Sequence, residues 1–171
     1  IITHHHASSW VPVEKTISFT VRKSTVTQNA MCACNFNMEF NFVYSGAGIA
    51  NNSRVFLDAL TRHDANFPWP SPKKYYLVDS DFSYTAGFLL PYRGERYHLK
   101  YYRGRGQNPV GHKEMFNYRH SSLHNVLERC FGVLTARFKI LKLISRYMPM
   151  KQRILVVVCC FIHNFVRRRS Q

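Results

Sequence analysis

Acidic residues are scarce in this sequence: 9 Asp+Glu stand against 24 Lys+Arg in 171 residues, a formal charge of +15 with histidines neutral. Because 46% of the chain is hydrophobic and 15% aromatic, this imbalance excludes a disordered basic tail. It points to one globular domain spanning 1–171 with a polyanionic partner, nucleic acid first. Long apolar runs are missing too. The longest, Ile154 to Ile162 (ILVVVCCFI), is about half of the roughly 20 residues a membrane-spanning helix needs. No charged and then apolar leader follows Ile1, so the chain is expected to be an N-terminally truncated piece without a secretory signal. The cysteines do not make a disulfide framework. Cys32, Cys34, Cys130, Cys159 and Cys160 are an odd set in a domain large enough to do without staples, which favours reduced thiols inside a cell.

What is present is ordered along the chain. Residues 25–34 (TVTQNAMCAC) and 38–44 (MEFNFVY) read as a β-hairpin around Asn35-Phe36-Asn37, with Met38, Phe40, Phe42 and Tyr44 alternating onto one face. Cys32 and Cys34 are small strand residues. After Gly46 and Gly48, Asn51-Asn52-Ser53 is a natural N-cap for a helix to 62 whose Val55, Phe56, Ala59 and Leu60 share a face. A Pro-rich stretch, FPWPSP, precedes KYYLV at 74–78, a buried strand that delivers Asp79 at its tip. Residues 92–112 begin YRGERYHLKYYRGRGQ, which has no helical period and reads as an exposed basic loop or insertion. From 113 to 139 the period becomes helical, through Leu123, Leu127, Cys130, Phe131, Leu134 and Phe138, and a last helix over 150–166 runs into Arg167-Arg168-Arg169. No internal repeat is visible. This order predicts the α/β class: one mixed sheet with helices packed on it.

The few carboxylates limit the chemistry. Glu39, Asp58, Asp64 and Glu95 read most simply as solvated surface charges, whereas Asp79 terminates an apolar strand and Glu128 sits mid-helix after His120 and His124. Brought together, Asp79 and Glu128 would bind Mg²⁺ through oxygen and align phosphodiester hydrolysis. The plain alternative for Glu128 is an ion pair with Arg129 or a neighbouring helix. His4-His5-His6 lacks a preorganised geometry and a fourth ligand for zinc, and Cys159, Cys160 and His163 read as packing residues. Neither a Ser/His/Asp elbow nor a phosphate-cradling glycine loop stands out. Arg93, Arg96, Lys100, Arg103 and Arg105 interleave with Tyr92, Tyr97, Tyr101 and Tyr102, a pattern in which cations contact phosphates and rings stack on bases or sugars. A solvated loop is the plain alternative. Neutralising six phosphates of duplex DNA would give a slope of roughly −5 in log K against log salt.

Several segments together, TQNAMCACNFNMEFNFVYSGAG, NNSRVFLDAL, KYYLVDSDFSYTAGFLLPYRGERYHL, FNYRHSSLHNVLERCFGVLTARFKILK and CCFIHNFVRRR, resemble the nuclease domain of PIF/Harbinger-type transposases and their domesticated relatives, the DDE superfamily endonucleases. The resemblance implies a ribonuclease H-like fold, a mixed sheet flanked by helices. In it, acids hold divalent metal (Mg or Mn) and cut DNA in the nucleus during excision and insertion of a mobile element. It puts Asp79 and Glu128 at the second and third acid positions and adds Arg119 and His120, within NYRHSS, to the candidate DNA contacts. It also implies a separate Myb/SANT-like DNA-binding partner protein.

Departures from the family pattern are as informative. Aligned through Thr3 and His4, the first acid and its glycine fall on Ile1 and Ile2, so the first strand is expected to be incomplete. Asn52 stands at a further, degenerate metal position, and the usual Gly-Tyr after Asp79 is Asp81-Phe82. Asn is a weaker ligand than a carboxylate for a hard cation, and Ile is none. The expectation is a catalytically impaired copy that keeps DNA affinity. The readings beside it are a competent metal-dependent DNA endonuclease, a non-catalytic DNA-binding scaffold, and a non-functional transposon remnant.

Overall fold

The computed structural model describes residues 1–8, 27–45, 52–82, 84–104, 108–142 and 147–170. Strands β1 (Ile2–Ser8), β2 (Thr27–Cys34) and β3 (Phe40–Ser45) form an antiparallel sheet in the order β1-β2-β3. Helix α1 (Asn52–Thr61) follows, then a short parallel pair, β4 (Tyr76–Leu77) and β5 (Phe88–Leu89), and then the helices α2 (Gly111–Arg137) and α3 (Pro149–Arg169). The class is α/β, as the sequence predicts, but in place of the one mixed sheet expected the described residues form two, the antiparallel β1-β2-β3 sheet and the parallel β4-β5 pair. Every residue of β1 is paired, from Ile2 opposite Ala33 to Ser8 opposite Thr27.

β2 is buried on both faces from Asn29 to Cys34. Its alternation splits the interior in two. Ala30, Cys32 and Cys34 point with Ile1 and Phe40 toward Leu127, Cys130, Phe131 and Leu134 of α2 and Val156, Cys159 and Cys160 of α3. Met31 and Ala33 point with Ile2 toward Val55, Phe56 and Ala59 of α1 and the aromatic group Phe67, Phe82 and Phe88. Small side chains on the helix side let α2 and α3 come close to the sheet. All five cysteines are free and buried, so Cys159, Cys160 and the fully buried His163 pack as the sequence suggests.

The hairpin forms, but its faces differ from strict alternation. Ala33 pairs with Phe42 and Cys34 with Phe40, leaving Asn41 as the extra residue of a β-bulge. Phe40 therefore faces α2 and α3, while Phe42 and Tyr44 face the α1 side. α3 holds the bulge from outside. Asn164 accepts from the Phe40 N–H and donates to the Phe40 carbonyl, both at 2.8 Å, and so stands in for a missing neighbouring strand. The turn itself places Met38 at φ 58, in the left-handed region, where His163 Nε2 lies 2.9 Å from its carbonyl.

Helix α2 also departs from expectation. Leu123 is 42% exposed, whereas Asn117, His120, Ser121 and His124 are buried ahead of Leu127. The N-terminal half of α2 faces exposed backbone, of the Tyr92–Arg96 segment through Asn117 and of β5 through His120, and polar side chains satisfy that backbone better than leucine would. Strand β4 is shorter than predicted, and Val78 and Phe82, both buried, carry the positioning of the turn between them. Phe82 stacks edge-on against Phe56, with ring centroids 4.8 Å apart. Phe82→Ala is expected to cost about 3–5 kcal/mol in chemical denaturation, as other buried Phe truncations do. A loss under about 1 kcal/mol would show that Phe82 does not anchor the turn.

Candidate active site

Asp79 sits in the turn that follows β4, between the anchors Val78 and Phe82. Its carbonyl accepts from the Phe82 N–H at 3.2 Å and its Oδ1 from the Ser80 N–H at 2.6 Å. The start of α1 braces the same turn, since Ser53 Oγ donates to the Asp81 carbonyl at 2.8 Å. The carboxylate is thus fixed by its own backbone turn and by aromatic packing below it.

Glu128 comes from α2, on the helix face that begins with the buried polar residues. Asn117 accepts the Tyr92 N–H at 2.8 Å and donates to the carbonyls of Tyr92 (2.9 Å) and Arg96 (3.2 Å). His120 Nε2 lies 2.9 Å from the Leu89 carbonyl, which can only accept, so Nδ1 is left to accept from the Tyr97 hydroxyl at 3.2 Å. These bonds lay the segment from Leu89 to Tyr102 along α2 and form the wall of a cleft of ≈ 250 Å³. Asp79 and Glu128 both line it, together with Ser121, His124 and Asn125 of α2. Tyr97, Lys100 and Arg103 close the other side.

The two acids predicted from sequence are therefore brought together. Among the described residues neither is in an ion pair; the carboxylates that are, Asp64, Glu114 and Glu39, meet Arg62, Arg96 and Arg168. The alternative of a Glu128–Arg129 pair is not what forms. Burial pushes the Tyr97 phenol well above its ordinary value, and the charges of Asp79 and Glu128 add to this, so it stays neutral. Burial lowers the His124 pKa, with the same two carboxylates opposing it. One side of the His124 ring engages the Ile2 backbone, while its Nε2 is buried without a hydrogen-bond partner.

Other predicted contacts are placed differently. Arg96 is spent inside the protein: Nε and Nη2 donate to both oxygens of Glu114 at 2.8 and 2.7 Å, and Nη2 also reaches the Asn108 carbonyl at 3.1 Å. A bidentate pair of this kind leaves no fork for a phosphate. His120 is 2% exposed and bonds to the Leu89 carbonyl, so its ring is turned inward rather than presented on the surface. Arg93, Lys100 and Arg103 are exposed; Arg119 is exposed as well but lines a separate, mainly apolar pocket with Leu77, Met115 and Phe116. Arg105 lies outside the described residues, as do Gly46, Gly48, Asn51 and the side chains of His4, His5 and His6. Of the tyrosines, Tyr92 and Tyr101 are exposed, whereas Tyr97 walls the cleft and Tyr102 donates to the Arg96 carbonyl at 2.6 Å. Asp58, read as a solvated charge, accepts the Tyr44 hydroxyl.

The divalent cation that the resemblance implies does not find a complete donor set. Asn52 accepts from Asn29 at 3.1 Å and does not line the cleft. Ile1, at the first acid position, packs its side chain in the core, with its nitrogen 3.0 Å from the Cys34 carbonyl. Among the described residues no group of three or more His, Cys, Asp or Glu side chains is arranged to hold a metal ion. Two carboxylates without a third do not fit the centre the resemblance implies.

Sequence reasoning missed Asn117 and noted His124 only as a neighbour of Glu128. The signal was present as polar side chains at helical spacing, Asn117, Ser121, His124 and Glu128, obscured by a search for apolar periodicity alone.

A family model described as DDE superfamily endonuclease matches residues 6–164. No curated protein and no solved structure matches the chain.

The Arg96–Glu114 clamp carries a pH signature. The Arg96 guanidinium, and after it the Val110 amide, hold the Glu114 carboxyl down to about 2. A depressed carboxylate contributes stability above its ordinary value of about 4.3, and this is lost as pH falls through the folded value. Urea midpoints measured from neutral pH down to about pH 2 should therefore decline less steeply in Glu114→Gln than in wild type below about pH 4. Parallel profiles would show that the pair does not hold the loop.

Proposed function

The chain belongs to the DDE superfamily endonucleases, and from that premise we propose that it is a transposase-derived, DNA-binding domain of PIF/Harbinger type whose strand-cleaving centre is incomplete. The observation that carries this reading is the cleft. Among the described residues it gathers Asp79 and Glu128, neither in an ion pair, and no third acid, in a chain with few acids to spare. The order of elements supports the ribonuclease H-like reading: an antiparallel β1-β2-β3 sheet, then α1, then the parallel β4-β5 pair and two long helices.

Binding rests on different groups from cleavage. Lys100 and Arg103 stand at the cleft wall with Arg93 nearby in sequence, and the net charge of +15 supplies the long-range attraction. Cleavage of a phosphodiester needs charge-stabilising groups positioned where charge develops, and a site one acid short loses that preorganisation. Asp79 and Glu128 retain the place of a catalytic pair, and Ile1 and Asn52 withhold the rest. Work in the nucleus, beside a Myb/SANT-like partner that selects the target, follows from the same reading.

The test joins two measurements on one preparation. Duplex DNA affinity should fall with salt at a slope of about −5. Plasmid nicking with Mg²⁺ or Mn²⁺ should not exceed that of Asp79→Ala. Metal-dependent nicking abolished by Asp79→Ala would establish a competent nuclease instead, and salt-insensitive or absent DNA binding would remove the DNA-binding reading.

A further inference from the structure

Helix α3 is apolar on two opposite sides. Val156, Cys159, Cys160 and His163 face the interior. On the far side Met150, Ile154, Val157, Val158, Phe161 and Phe165 are between 44% and 72% exposed, with Phe161 the most. They recur at i, i+4, i+7, i+8, i+11 and i+15, which on an α-helix is one stripe about 22 Å long. Single exposed apolar residues are ordinary, but a contiguous row, here widened by Ile162 at 40% exposure and bounded by cations at its ends, is the mark of a docking face. The spacing is that of a seam read by another helix. Toward its C-terminal end the stripe opens into a hollow of ≈ 420 Å³ lined by Phe161, Asn164, Phe165, Arg168 and Arg169.

Charge decides what fits there. α3 contains no acidic residue, and its cations, Lys151, Arg153, Arg167, Arg168 and Arg169, border the stripe at both ends. A second copy laid antiparallel would set Arg167–Arg169 beside Lys151 and Arg153. Laid parallel, it would set each cation beside its own counterpart. Both arrangements juxtapose only like charges, which disfavours a homodimer on this face. The chain itself shows what the cations accept: Arg168 Nε already meets Glu39 at 2.7 Å.

We propose that the outer face of α3 docks an amphipathic helix of a partner protein whose apolar seam is flanked by Asp and Glu. None of these residues lines the Asp79–Glu128 cleft, so the surface operates whether or not the cleft cleaves DNA. Phe161 is the anchor, being aromatic, central and prominent.

The test uses two labelled synthetic peptides of about 20 residues with the same leucine seam, one flanked by Glu and one by Lys, titrated into the full chain and followed by fluorescence anisotropy. The Glu-flanked peptide should bind at least about tenfold more tightly than the Lys-flanked one. Phe161→Asp should weaken it by about tenfold or more while leaving the circular dichroism spectrum and thermal transition unchanged. Sedimentation should show a monomer. Equal binding of the two peptides, no binding of the Glu-flanked one, or a dimer dissolved by Phe161→Asp would each overturn the proposal. Ile154→Asp, a second exposed position on the stripe, repeats the measurement should Phe161→Asp disturb the fold.

Discussion

The burial of β2 on both of its faces is the constraint on which the site depends. A strand with no solvent-facing side must satisfy its backbone through β1 and β3 and its side chains through a layer on each face. Toward one layer, Ala30, Cys32 and Cys34 seat α2 and α3, and through Leu127 and Cys130 they set the height at which Glu128 stands. Toward the other, Met31 and Ala33 seat Phe56, on which Phe82 and Phe88 pack. That aromatic group fixes the turn carrying Asp79. Two carboxylates from different layers share one cleft because one strand positions both.

The polar face of α2 is the second necessity. Asn117 and His120 bond to the backbone of Tyr92, Arg96 and Leu89, holding a basic, aromatic segment, whose Leu99–Tyr102 forms a short 3-10 helix, as a wall. Arg96 closes it by pairing with Glu114. Asn117 and His120 are stable as buried polar side chains because each has a backbone partner. Nε2 of His124, beside the two acids, is buried without a hydrogen-bond partner.

Much of this was legible in the sequence. Apolar spacing located α1 and its buried Val55, Phe56 and Ala59, and the apolar run before Asp79 marked that acid as different from the others. The bulge at Asn41 was not legible, because an inserted residue reverses the parity on which alternation depends. Neither was the inward face of the first half of α2, whose buried residues are polar. Charge counting singled out Arg96 as readily as Lys100, since partners within the fold appear only once the chain is folded. The exposed stripe of α3 was hidden for a related reason. An apolar run that feeds both faces of a helix looks like core throughout.

Among the described residues the cleft gathers two acids, Asp79 and Glu128, and no third. Titration with Mn²⁺, followed by electron paramagnetic resonance of the free ion, tests this without reference to DNA. No saturable binding is expected up to about 1 mM, because two carboxylates without a third ligand or substrate phosphates hold a hard cation weakly. Saturable one-to-one binding well below that concentration, lost in Asp79→Asn and in Glu128→Gln, would contradict it.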